Sequence, residues 1–181
     1  TEIYTLSLHD ALPIWFFYRT TFMKYRRLTK EQFEILSVEF AQFLASQSID
    51  QKQWQSIKQN NAAQVDQQLD AFSDLVWEES LRKTCYINHY SSGRVFAFHA
   101  GQMSITLLGV KTATDLDFNT PEAWQWLSEH WQEYTVSFYR EQKPYDKQRT
   151  QVLFALIEQG GVLSSSDVAQ RLEALIPKNY S

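Results

Sequence analysis

The feature that most limits the fold is a change of hydrophobic period near Thr84. Before it, apolar residues recur every three to four positions; after it, they alternate. On the helical side, Phe33, Leu36, Phe40, Phe43 and Leu44 share one face, widened by Ile35 and Val38. Thr29 followed by Gln32 forms a capping box, and this helix is expected to end near Ser46. Asp50 is placed to cap a short helix carrying Trp54 and Ile57, which Asn60-Asn61 interrupts. A longer helix turns Val65, Leu69, Phe72 and Val76 inward. It ends near Arg82 and Lys83, where positive charge suits the helix dipole.

On the alternating side, Cys85–Tyr90 and Arg94–Ala100 read as strands, and Met103–Val110 as a third. With Ser92-Gly93 as a two-residue turn, Tyr90 faces Val95, Tyr86 faces His99 and Cys85 faces Ala100. Thr120-Pro121 starts a helix with Trp124, Leu127 and Trp131 on one face. Tyr134–Tyr139 reads as a fourth strand, with Tyr134, Val136 and Phe138 on one side, ended by Lys143-Pro144. Asp146 is expected to cap a helix through Val152, Leu153, Leu156 and Ile157, which Gly160-Gly161 stops. Ser165 or Ser166 begins a last helix with Val168, Leu172 and Leu175. The order predicts an α+β fold. It has N-terminal helices, an antiparallel sheet of about four strands (a three-strand meander, a helix, a fourth strand) and a C-terminal helical pair.

The chain of 181 residues opens on TEIYTLSLHDALPI. A secretory signal needs a basic start and an unbroken apolar run. Glu2 and Asp10 are acidic, no Lys or Arg precedes Arg19, and Thr5, Ser7, His9, Asp10 and Pro13 break the run. Back-translated, Thr1–Ile14 is similar to a widely used short-read sequencing adapter, and it is read as an artefact. Trp15–Phe22 is read as upstream sequence, with a native strand as the alternative. Met23 is then the start. Residues 1–22 form an artefactual or untranslated leader, and residues 23–181 a single α+β domain. The net charge of −4 argues against a general nucleic-acid binder, while leaving room for a local basic patch. Cys85 is the one cysteine, so no intrachain disulfide forms. No apolar run approaches the ~18 residues of a membrane helix, and a cytoplasmic location is expected.

Several clusters invite a chemical reading. Cys85, His89 and His99 suggest a metal or thiol site. Cys85 and His89 are ~13 Å apart on one strand at ~3.3 Å per residue, and the register puts His99 on the opposite face. A core cysteine with hydrogen-bonded histidines is the plainer account. Asp66, Asp70, Asp74 and Glu78 share a helix face. They read as a cation site or a surface for a basic partner, or as a solvated face with Glu78 paired to Arg82. Trp124, Trp126, Trp131 and His130 suggest a stacking platform; Trp124 and Trp131 sit at core spacing, leaving Trp126 as the surface anchor. Lys24, Arg26, Arg27 and Lys30 are the densest basic cluster, with Tyr25 among them to stack. They lie at a helix start, where positive charge is unfavourable, and such local conflicts mark functional positions. The alternative is a solvated end paired to Glu31 or Glu34. VLFALIEQGGVLSSSDVAQRL resembles the first half of a helix-turn-helix, without a basic recognition helix to follow. Phosphate loops, Rossmann glycines, G-x-S-x-G, HExxH and CxxC are absent from the chain.

MKYRRLTKEQFEIL, EFAQFLASQSID and LDAFSDLVWEESLRK, with the aromatic hairpin after them, resemble a family of small Bacteroidota proteins grouped as a domain of unknown function. The resemblance runs from Met23 to about Leu175 and is clearest to Lys83. It implies a bacterial source and carries no activity, cofactor or catalytic residue onto this chain.

The expected function is therefore a non-enzymatic cytoplasmic binding or accessory module. Its contact residues are Lys24, Tyr25, Arg26, Arg27, Lys30 and Trp126, with no cofactor and no metal. The expected partner is another protein, with nucleic acid as the alternative through the same arm. An enzyme with an unrecognised site is the third reading, and it would need titratable groups with strongly perturbed pKa converging in a cleft.

Overall fold

A computed structural model describes residues 23–176. The expected leader over residues 1–22 lies outside the described residues. The chain divides into two compact units, one ending at Trp77 and one beginning at Glu78.

The first unit is helical. Thr29 caps α1 (Lys30–Ile35): its side chain accepts the Gln32 N–H while the Gln32 side chain accepts the Thr29 N–H. Asp50 and Gln53 repeat the device at α3 (Gln51–Asn60). Between them lies α2 (Ser37–Ser46). One continuous helix was expected from 30 to 46; the structure breaks it at Leu36, whose ψ is 25°. The break has a packing reason. Seven residues along a straight helix separate Phe33 from Phe40 by ~10.5 Å, yet their rings meet edge to face at 5.5 Å. Both rings close on Phe72 of α4 (Ala62–Lys83), at 5.9 and 5.1 Å, and Phe43 joins at 5.5 Å. Phe72 is 1% exposed and centres this aromatic core; offset and edge-on rings at such distances add to the stabilisation from burial alone.

The second unit is built on five antiparallel strands in the order β4-β3-β2-β1-β5. The strands are β1 (Tyr86–Ser91), β2 (Arg94–Ala100), β3 (Ser104–Thr112), β4 (Val136–Pro144) and β5 (Val162–Ser164). The α+β architecture and the meander stand as expected. So does the hairpin register: Tyr90 pairs with Val95 and Tyr86 with His99. Gly93 supplies the turn with φ +64°, a conformation that costs glycine little. Period-two alternation sends Val95, Ala97, Leu108, Val110, Val136 and Phe138 to one face. There they form a core with Ala123 and Leu127 of α5 (Pro121–His130) and Ala169 and Leu172 of α7 (Asp167–Leu175). On the other face Ile87 is fully buried, and α6 (Arg149–Glu158) packs against β1.

Four details depart from expectation. Tyr134 is 98% exposed and precedes β4, which starts at Val136. β4 runs on past Tyr139 to end at Pro144, where Lys143-Pro144 was expected to stop it; on an edge strand the missing proline N–H is tolerated. Asp146 does not cap α6; Gln148 stands at that position without a side-chain bond. The C-terminal helices are separated by β5, which closes on β1 through Ser164–Tyr86 and Val162–Asn88. Gly160, at φ +96°, ends α6 and lets the chain enter that strand.

Candidate functional site

The two charge clusters of the first unit meet each other. Residues 24–28 form a strap along α4. The backbone N–H groups of Lys24 and Tyr25 both donate to the Asp74 carboxylate, at 2.8 and 2.9 Å. Arg27 reaches Asp70 through Nε at 2.6 Å and Asp66 through Nη1 at 2.8 Å. The Leu28 N–H donates to the buried Ser73 hydroxyl at 3.1 Å, and the Ser73 hydroxyl donates to the Leu69 carbonyl at 2.7 Å. The Trp77 indole donates to the Arg26 carbonyl at 3.0 Å, while the Arg26 guanidinium lies 5.3 Å from the Trp77 ring. Tyr25 and Leu28 alternate inward and are 4% and 6% exposed.

This arrangement resolves the conflict at the start of α1. The positive charge near the helix N-terminus is offset by carboxylates of another helix. The hydrogen bond from Arg27 to Asp70 holds its guanidinium above the ordinary arginine pKa, against some desolvation. The sequence-derived site residues thus separate by role. Arg27 is tied to α4, and Tyr25 is a core residue, so its ring does not serve as a stacking surface. The Lys24, Arg26 and Lys30 side chains are exposed. Lys24 lies 5.0 Å from the Tyr25 ring, and Lys30 pairs with Glu34 at 3.8 Å across open surface. Of the acidic stripe, Asp66, Asp70 and Asp74 hold the strap. The expected Glu78–Arg82 pair is replaced by Glu79–Arg82 at 2.9 Å, and Glu78 accepts from the Thr150 hydroxyl at 3.4 Å.

Trp126 belongs to the second unit. It is half-buried against the sheet core, and His130 stacks on it at 4.4 Å, nearly coplanar. His130 Nδ1 lies 2.7 Å from the Trp126 carbonyl, which orients the imidazole. One face of the indole is therefore already covered. Trp124 is half-buried too, its indole N–H donating to the Phe118 carbonyl at 2.9 Å.

The family of unknown function DUF6495 matches this chain over residues 23–177. The chain belongs to that family. No curated protein and no solved structure matches it. The DUF6495 match takes in the strap, α4, the whole sheet and α7.

Elsewhere in this DUF6495 chain, His89 and His99 lie on opposite faces of the sheet, as the register required. His89 Nε2 sits 3.0 Å from the Gln159 carbonyl, and His99 stacks on Tyr86 at 4.9 Å. Cys85 is exposed. Among the described residues no group of three His, Cys, Asp or Glu side chains is arranged to hold a metal ion, and no helix is long and apolar enough to cross a membrane. Perturbed titration has local causes. The N–H and side-chain amide of Asn119 hold Asp117 below the usual carboxylate range. Backbone hydrogen bonding lowers Glu31 at the start of α1. Burial raises the Tyr145 phenol.

Arg149 was missed by sequence reasoning. It is the first residue of α6, and all its N–H groups face backbone carbonyls. Nε donates to Gly101 at 3.0 Å, Nη1 to Leu81 at 3.0 Å and to Arg82 at 3.4 Å, and Nη2 to Ala100 at 2.9 Å and to Thr84. It satisfies carbonyls that the end of α4 leaves open, and it joins that end to the end of β2. An arginine at a helix N-terminus breaks the dipole rule. The same signal that singled out Lys24–Lys30 was therefore present here.

Proposed function

We propose that this DUF6495 protein is a non-enzymatic binding module of the bacterial cytoplasm. It contacts an acidic surface of another protein through the exposed cations Lys24, Arg26 and Lys30. One observation carries the reading: the strap that bears Lys24 and Arg26, and leads into α1 at Lys30, is bonded to Asp74, Asp66, Asp70, Ser73 and Trp77. A contact surface on a fixed backbone binds without first losing conformational freedom. The Arg26 guanidinium is supported on an indole face, an arrangement that keeps a cation pre-positioned. Arg27 is the internal anchor in this reading and is not a contact.

The test is a pull-down from a Bacteroidota lysate with wild-type protein and with Lys24→Glu/Arg26→Glu/Lys30→Glu, each with and without nuclease. Arg27 is left intact so that the strap stays docked. A protein held by the wild type, lost by the triple variant and indifferent to nuclease supports the proposal. Material removed by nuclease replaces it with the nucleic-acid reading, whose affinity falls steeply with salt. Identical partners in both proteins defeat it.

A further inference from the structure

We infer that a cleft in the second unit, beside Trp124, is a binding site for a small aromatic carboxylate. The cleft is open to solvent, has a volume of about 280 Å³, and is lined by Tyr90, Phe118, Pro121, Trp124, Val168 and Arg171 among its walls. These residues come from β1, the loop before α5, α5 and α7, so they are gathered only by the fold. Three of them are aromatic. Phe118 is 2% exposed and meets Trp124 edge to face at 5.3 Å. The Trp124 N–H is used by the Phe118 carbonyl, so Trp124 offers the cleft only its apolar ring.

The cleft is lined by one carboxylate, Asp167, and one guanidinium, Arg171. Asp167 and Arg171 stand four residues apart on α7, the order in which helical residues usually pair. They do not pair here: Asp167 accepts the Ser165 hydroxyl at 2.9 Å, and the Arg171 guanidinium lies 5.3 Å from the Trp124 ring. Arg171 is thereby held on the aromatic wall, with its acidic neighbour turned to another donor. Thr120, which also lines the cleft, turns its hydroxyl back to the Asp117 carbonyl at 2.8 Å, so no side chain caps the first turn of α5. A guanidinium fork matches a carboxylate in two parallel hydrogen bonds. The aromatic walls suit a planar apolar body. The volume falls just under the ~300 Å³ at which drug-sized ligands begin, which points to one ring with a short acid arm.

The test uses the whole chain with phenylacetate as the probe and 2-phenylethanol as its uncharged counterpart, read by ligand-observed NMR titration. Arg171→Met removes the charge and keeps the apolar stem; Arg94→Met, an exposed arginine on β2 outside the cleft, is the control. Unchanged urea midpoints establish that both variants fold. The expected result is saturable phenylacetate binding that weakens about tenfold in Arg171→Met, from the loss of a charge-assisted hydrogen bond. In the wild type the alcohol is expected to bind about tenfold more weakly than the acid, and Arg94→Met is expected to bind the acid unchanged. Equal binding of acid and alcohol, equal binding by Arg171→Met, or no saturation by about 20 mM overturns the assignment.

Discussion

Replacing Arg149 by methionine tests the tertiary structure of the second unit at one atom group. Methionine keeps an apolar stem of similar reach and removes every donor. Five carbonyls, those of Leu81, Arg82, Thr84, Ala100 and Gly101, then lose a partner. Hydrogen bonds to a charged group contribute about 1.5–3 kcal/mol each, which would sum to well over 6 kcal/mol. The sum overstates the loss. Arg149 is only half-buried, so water reaches some of the freed carbonyls. The bonds share one side chain and are not additive, and the desolvation of the guanidinium is recovered. The expected loss is about 3–4 kcal/mol, measured as a shift in the urea midpoint followed by tryptophan fluorescence. Arg149→Lys separates two explanations. If the residue acts only as a positive charge at the end of α4, lysine is neutral. If it acts as a planar fork bonding several carbonyls, lysine loses about half of the effect, because three donors on one nitrogen cannot span them. A methionine variant within 1 kcal/mol of wild type refutes the hydrogen-bond account, and a neutral lysine variant refutes its geometry.

Three further outcomes are expected. Ser73→Ala leaves the Leu28 N–H without its acceptor in a buried site and costs about 1–3 kcal/mol by urea unfolding. A double-mutant cycle of Arg27→Met with Asp70→Asn gives a coupling of about 0.5–1 kcal/mol that shrinks in 1 M salt, since both side chains are partly exposed. Tyr145 has a phenol pKa raised by burial, and its hydroxyl donates to Gly101. Its stabilising effect is complete below the unfolded value near 10 and is lost as pH rises through the folded value. Tyr145→Phe therefore flattens the alkaline end of the stability–pH curve, and a curve of unchanged slope would disprove the assignment.

What could be read from the sequence was local. The capping box at Thr29/Gln32, the cap at Asp50 and the hairpin register depend on residues a few positions apart. So does the stop at Gly160. What escaped depended on distant partners. Nothing in Val162–Ser164 marks a strand until β1 lies beside it. The break at Leu36 follows from Phe72, which is far along the chain. The strap and the acidic stripe were both visible as charge patterns, and their opposite sign was the clue that they belong together. The dipole rule flagged the strap correctly as an anomaly. The anomaly marked a tertiary anchor, Arg27, in the strap and another at Arg149.

The distance in sequence between strap and stripe has a consequence for synthesis. Tyr25 and the Asp74 that holds its N–H are 49 residues apart. On a growing chain the basic segment leaves the ribosome first, with Tyr25 and Leu28 still in water. Helices α1, α2 and α3 can all be complete before a single carboxylate that receives the strap has been made. Docking must then wait for the middle of α4, when Asp66, Asp70, Ser73 and Asp74 arrive within a few residues of one another. A nascent chain halted before Asp66 therefore presents the strap's cations and two apolar side chains together.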